Sequence, residues 1–70
     1  MKTKTYYTVE VTFQCRNASG EFETKTVAQD VTDCMAEGAD PEELADGLYW
    51  REVHGKFDAV TIVGGGVRPV

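Results

Sequence analysis

From Tyr7 the chain alternates. Tyr7, Val9, Val11, Phe13 and Cys15 fall on one side, and Thr8, Glu10, Thr12 and Gln14 on the other. A period of two, carried by β-branched and aromatic residues, predicts a half-buried strand. Arg16-Asn17-Ala18-Ser19-Gly20-Glu21 has turn chemistry, and Phe22 to Ala28 predicts the return strand of a hairpin. Pairing Arg16 with Glu21 sets Cys15 against Phe22, Phe13 against Thr24, Val11 against Thr26 and Val9 against Ala28, all on the buried face. A slip of one residue would bury Glu23 and Lys25, so this register is the expected one.

The period then becomes helical. In Asp40-Pro41-Glu42-Glu43-Leu44-Ala45-Asp46-Gly47-Leu48-Tyr49-Trp50-Arg51, Asp40 is an N-cap and Pro41 suits the first helical position. Glu42 and Glu43 face the positive end of the helix dipole. Leu44, Ala45, Leu48 and Tyr49 make a core-facing stripe, whereas Glu42, Glu43, Asp46 and Trp50 fall on the other side. Upstream, Asp30 can cap a short helix with Val31, Cys34 and Met35 on one face, closed by Gly38; a single turn leading into the main helix is the alternative. His54-Gly55 makes the turn out, with the imidazole near the last helical carbonyls. Phe57 to Val63 predicts a third strand, with Val60 and Ile62 as its core residues, ended by Gly64-Gly65-Gly66 and followed by a short extended tail. The expected fold is a single small α+β domain: an N-terminal hairpin plus a C-terminal strand, packed by one main helix.

Composition narrows the energetics. Two Leu, one Ile, nine Val and three Phe make up 15 of 70 residues, so the core is thin and the aromatics must supply much of it. A marginal monomer or a homodimer through sheet edges is expected. No run is long and apolar enough to span a membrane, and Met1-Lys2-Thr3-Lys4-Thr5 leads into a strand, not a leader's apolar core. The expected location is the cytoplasm, where Cys15 and Cys34 stay reduced as small semi-buried side chains. Asn17-Ala18-Ser19 fits a glycosylation sequon but is read as turn chemistry.

Charge changes the picture most. The net charge is −5, yet no Lys or Arg lies between Lys25 and Arg51, an interval holding Asp30, Asp33, Glu37, Asp40, Glu42, Glu43 and Asp46. The remainder has five acids against seven bases. Such one-sidedness gives an oriented field, where an evenly acidic chain would merely be soluble.

Other chemistries find little support. The triple glycine lacks the following helix that a phosphate loop requires. Cys15, Cys34 and His54 lie in different elements without paired ligand spacing, so neither a metal nor any other cofactor is expected. No nucleophile sits beside His54 in a local motif, and adjacent Glu42 and Glu43 diverge on a helix, so an enzyme is not expected. The scattered bases and the acidic interval disfavour direct nucleic-acid binding.

Within residues 44–70, Leu44-Ala45-Asp46 in a helix ending in Tyr49 and Trp50, a glycine turn, Phe57-x-x-Val60-Thr61 and Val67-Arg68-Pro69-x resemble small phage-encoded inhibitors of bacterial RNA polymerase. The triple glycine and the longer acidic interval depart from that pattern. The resemblance implies a small sheet packed by one helix, a negative face, and a strand arginine, here Arg68, in contact with the polymerase. In general character the chain is also similar to short acidic anti-CRISPR proteins. The expected function is therefore a non-enzymatic binder that covers a basic nucleic-acid-handling surface with Asp33, Glu37, Glu42, Glu43, Asp46, Trp50 and Arg68.

Overall fold

The computed structural model describes residues 4–70, so Met1, Lys2 and Thr3, the start of the basic N-terminus, lie outside the described residues. Five elements follow in order: β1 (Tyr7–Arg16), β2 (Phe22–Asp30), α1 (Thr32–Ala36), α2 (Pro41–Glu52) and β3 (Asp58–Pro69). The strands form one sheet in the order β2-β1-β3, antiparallel throughout. The domain is α+β with a small antiparallel sheet and one main helix.

β1 is central because it alone alternates strictly. Val9, Val11, Phe13 and Cys15 are buried beneath the helices together with Val31, Leu48 and Val53. Phe57 packs its ring on Phe13, with centroids 5.0 Å apart. Burying a side chain such as Phe13 or Leu48 contributes about 1.5–3 kcal/mol, so a few residues carry this core. The opposite sheet face has no helix over it and is largely polar; Thr12 and Thr26 join across it, with hydroxyl oxygens 3.0 Å apart.

The hairpin register differs from the expected one by a single residue. Arg16 pairs with Phe22, Cys15 with Glu23, Phe13 with Lys25, Val11 with Val27 and Val9 with Gln29. The loop sets this. The Asn17 carboxamide oxygen accepts from the Ser19 and Glu21 amides (2.9 and 3.0 Å), and the Asn17 amide donates to the Glu21 carbonyl (2.8 Å). Glu21 thus closes on Asn17 and Phe22 becomes the first partner of Arg16. The predicted penalty is avoided because β2 is an edge strand. Lys25 pairs with Glu23 at 3.4 Å, extends over the Phe57 ring at 6.0 Å, and keeps much of its side chain in water. Phe22 moves to the open face, beneath the Arg16 guanidinium.

Two further expectations are corrected. The three glycines do not end the third strand. β3 runs through them, with Gly64, Gly65 and Gly66 opposite Thr12, Val11 and Glu10. Irregularities on either side of the Phe13 and Gln14 pairs shift the strand, and Ala59 takes a φ of 50° where the second falls. Consequently Ile62 is half exposed and Val60 only partly buried, so neither anchors the core. Cys34 is exposed on α1 whereas Cys15 is buried, because Met35 of α1 and Val31 just before it turn inward instead.

Candidate functional site

α2 begins as its sequence dictates. The Asp40 carboxylate accepts from the Glu42 amide at 3.0 Å, Pro41 opens the helix, and Glu42 and Glu43 occupy the first turn. Glu42, Asp46 and Trp50 are spaced four residues apart and run along one side of the helix, with Glu43 beside them; all four are exposed. Among the described residues, Glu37, Asp40, Glu42, Glu43 and Asp46 form no salt bridge. The bases are engaged elsewhere: Lys25 with Glu23, Lys56 with Glu52, Arg68 with Glu10, and Arg51 with the Gln29 carboxamide. Like charges four residues apart, as at Glu42 and Asp46, cost a helix about 0.2–0.5 kcal/mol. The helix dipole offsets this for Glu42 and Glu43 in the first turn, whereas Asp46, beyond it, has no ion pair among the described residues.

The other predicted residues are placed differently. Asp33 lies on α1 and meets Lys4 at 3.5 Å, so among the described residues it is the one acid of the set with a counter-ion. Glu37 follows α1 and is exposed. Arg68 is on the open sheet face, opposite Thr8, where its Nε and Nη2 donate to one Glu10 carboxylate oxygen at 3.1 and 2.8 Å. It is therefore separated from the acids of α2 by the sheet itself. Asp30 has a local task. Its carboxylate accepts from the Thr32 amide at 2.8 Å, and the Thr32 hydrogen bonds hold its pKa below the ordinary 3.8. The Thr32 hydroxyl in turn accepts from the Tyr7 amide, tying α1 to the start of β1.

Trp50 is 56% exposed. Its ring lies on His54, centroids 4.2 Å apart, and edge-on to Tyr49 at 5.6 Å. The imidazole is thus an aromatic neighbour of Trp50. A side chain at Gly47 would come within 3.2 Å of the Arg51 guanidinium, which reaches past it to β2.

Beside the acids lies a feature the sequence did not disclose. Between α2 and β3 runs an open groove of about 570 Å³, floored by Val11 and the glycines, walled by Ala45, Tyr49 and Ile62, and rimmed by Glu42 and Asp46. Its only signal in the sequence is the uncharged run before and through the glycines, which lines a groove only if β3 continues past Val63. Among the described residues no three His, Cys, Asp or Glu side chains gather as a metal site, and no helix is long and apolar enough to cross a membrane. The chain matches no protein-family model, and no curated protein or solved structure matches it.

Proposed function

We propose that this domain is a non-enzymatic protein-binding module, of the kind phages direct against bacterial RNA polymerase or CRISPR effectors. Its acidic α2 flank docks on a basic surface that otherwise handles nucleic acid. The observation that carries this reading is the line of Glu42, Asp46 and Trp50, with Glu43 alongside, exposed along one side of α2, its carboxylates forming no ion pair among the described residues. Carboxylates on a rigid helix compete for the Lys and Arg that bind phosphates, and an exposed tryptophan is a frequent interface anchor. Asp33 and Glu37 extend the negative region onto α1, and Arg68 lies outside it on the other sheet face.

The test is affinity capture from bacterial lysate with the native chain and with a Glu42→Lys/Glu43→Lys/Asp46→Lys variant. The captured protein is then challenged with duplex DNA. The reading requires that charge reversal abolish capture and that DNA and the domain exclude one another. Equal recovery by both forms refutes it. A second reading, a structural or accessory module that homodimerises through sheet edges, has one observation in its favour: no charged residue lies between Asp58 and Arg68 on edge strand β3. Sedimentation at low concentration separates the two.

A further inference from the structure

The two edges of the sheet are not alike. β2 carries Glu23, Lys25 and Asp30, charges that discourage another strand from pairing. β3 presents residues 59–67 without a single charge, three of them glycines, with Ile62 and Val63 50% and 61% exposed. An edge strand leaves half of its amides and carbonyls facing outward, and glycines in a strand let another backbone approach closely. Gly64 has open space where a side chain would lie, and the apolar groove adjoins this same segment on the helix side.

We infer that the β3 edge takes up an extended segment of a basic partner protein as a fourth strand. This rests on the proposed acidic-flank reading and specifies how the partner binds. Side chains of a strand alternate between faces, so every second residue of the added segment points to the helix side. There it meets the groove beside Ile62 and the carboxylates of Glu42 and Asp46 on its rim. The matching sequence has an apolar residue with a Lys or Arg two positions away on each side, all three on one face. Backbone hydrogen bonds supply docking, and groove and rim supply selectivity. Charge decides against a second copy of this chain. A two-fold β3–β3 pairing would set both α2 helices on the same face of one continuous sheet and turn Glu42 and Asp46 of each copy toward those of the other.

The experiment uses three synthetic seven-residue peptides, capped at both ends, titrated into the full chain and followed by amide NMR and hydrogen exchange. The first, Thr-Lys-Thr-Val-Thr-Lys-Thr, has the proposed spacing. The second, Thr-Thr-Lys-Val-Lys-Thr-Thr, has the same composition with the bases on the opposite face from the valine. The third is the first peptide N-methylated along its backbone. The first is expected to bind at millimolar concentration or better, to shift the amides of Ile62 to Gly66 and to slow their exchange. The other two should bind at least about tenfold more weakly. Undiminished binding of the N-methylated peptide overturns strand addition while leaving the acidic flank intact. Undiminished binding of the first peptide to a Glu42→Gln/Asp46→Asn variant overturns the acidic reading instead. No binding of the first peptide, or protection of β3 amides by self-association of the chain alone, overturns the inference outright.

Discussion

Gly64 and Gly65 are neighbours with opposite demands. A Cβ on Gly65 would lie 2.7 Å from the Glu10 carbonyl oxygen and 3.3 Å from the Val11 Cα, both backbone atoms of the central strand, whereas nothing lies within 4 Å of one on Gly64. Gly65→Ala should therefore cost about 1–3 kcal/mol, as overpacking against an unyielding neighbour does. Gly64→Ala should be neutral, or stabilise by about 0.4–1 kcal/mol through the unfolded chain. Urea denaturation of the two variants checks the contrast. Asp30 supports a prediction of another kind. Hydrogen bonds from Thr32 lower its pKa in the folded protein, so its stabilising effect is complete above the ordinary value of 3.8 and is lost as pH falls through the lower folded value. Asp30→Asn should flatten part of the decline in melting temperature below that pH and leave the neutral-pH dependence unchanged. Local chemistry of this sort was readable in advance: Asp40 as a cap, Gly38 with its φ of +86°, and Asn17 as a turn residue all act as their types suggest.

What could not be read was how far such local choices propagate. α2 was legible because its start is fixed by its own residues, and β1 because a strict alternation admits only one buried face. The pairing of β2 depended on whether Arg16 or Asn17 opened the loop, a choice settled by two side-chain hydrogen bonds of Asn17. Glu23 and Lys25 would have to stay off the helix side only if that side were completely covered. At an edge strand, however, a lysine can lie over an aromatic ring and still reach water. Glycine weakens isolated strands and so suggests an end to β3, although beside β1 it is Gly65 that lets the two backbones lie close. α2 also carries a prediction of its own. Asp46→Lys converts a repelling pair with Glu42 into an attractive one in the favourable orientation, so it should raise stability by about 0.5–1 kcal/mol at low salt. The same change should weaken partner binding. Thermal melts beside the capture assay measure both, and a gain in stability accompanied by unchanged capture would show that the charge is solvation alone.

Across the molecule, the lopsided charge survives folding in a narrower form than the seven acids suggested. Asp30 serves a turn and Asp33 meets Lys4, so the other five of the seven acids, which form no ion pair among the described residues, lie on α2 and the segment leading into it. The described chain is 52 Å long and 19 Å across, and the Debye length at 0.1 M salt is about 10 Å, so a partner approaching one end barely feels charges at the other. This permits a test in which net charge is held constant. Glu42→Gln/Asp46→Asn and Glu21→Gln/Asp58→Asn each remove two negative charges, the first from the groove rim and the second from around the hairpin turn, where Asp58 lies opposite Arg16. If overall charge alone attracts the captured partner, the two variants associate at equal rates with equal salt dependence. If the α2 flank steers the encounter, only the first should slow association and flatten its dependence on salt in stopped-flow measurements. The second should match the native chain, because the charges it lacks lie away from the surface the partner approaches.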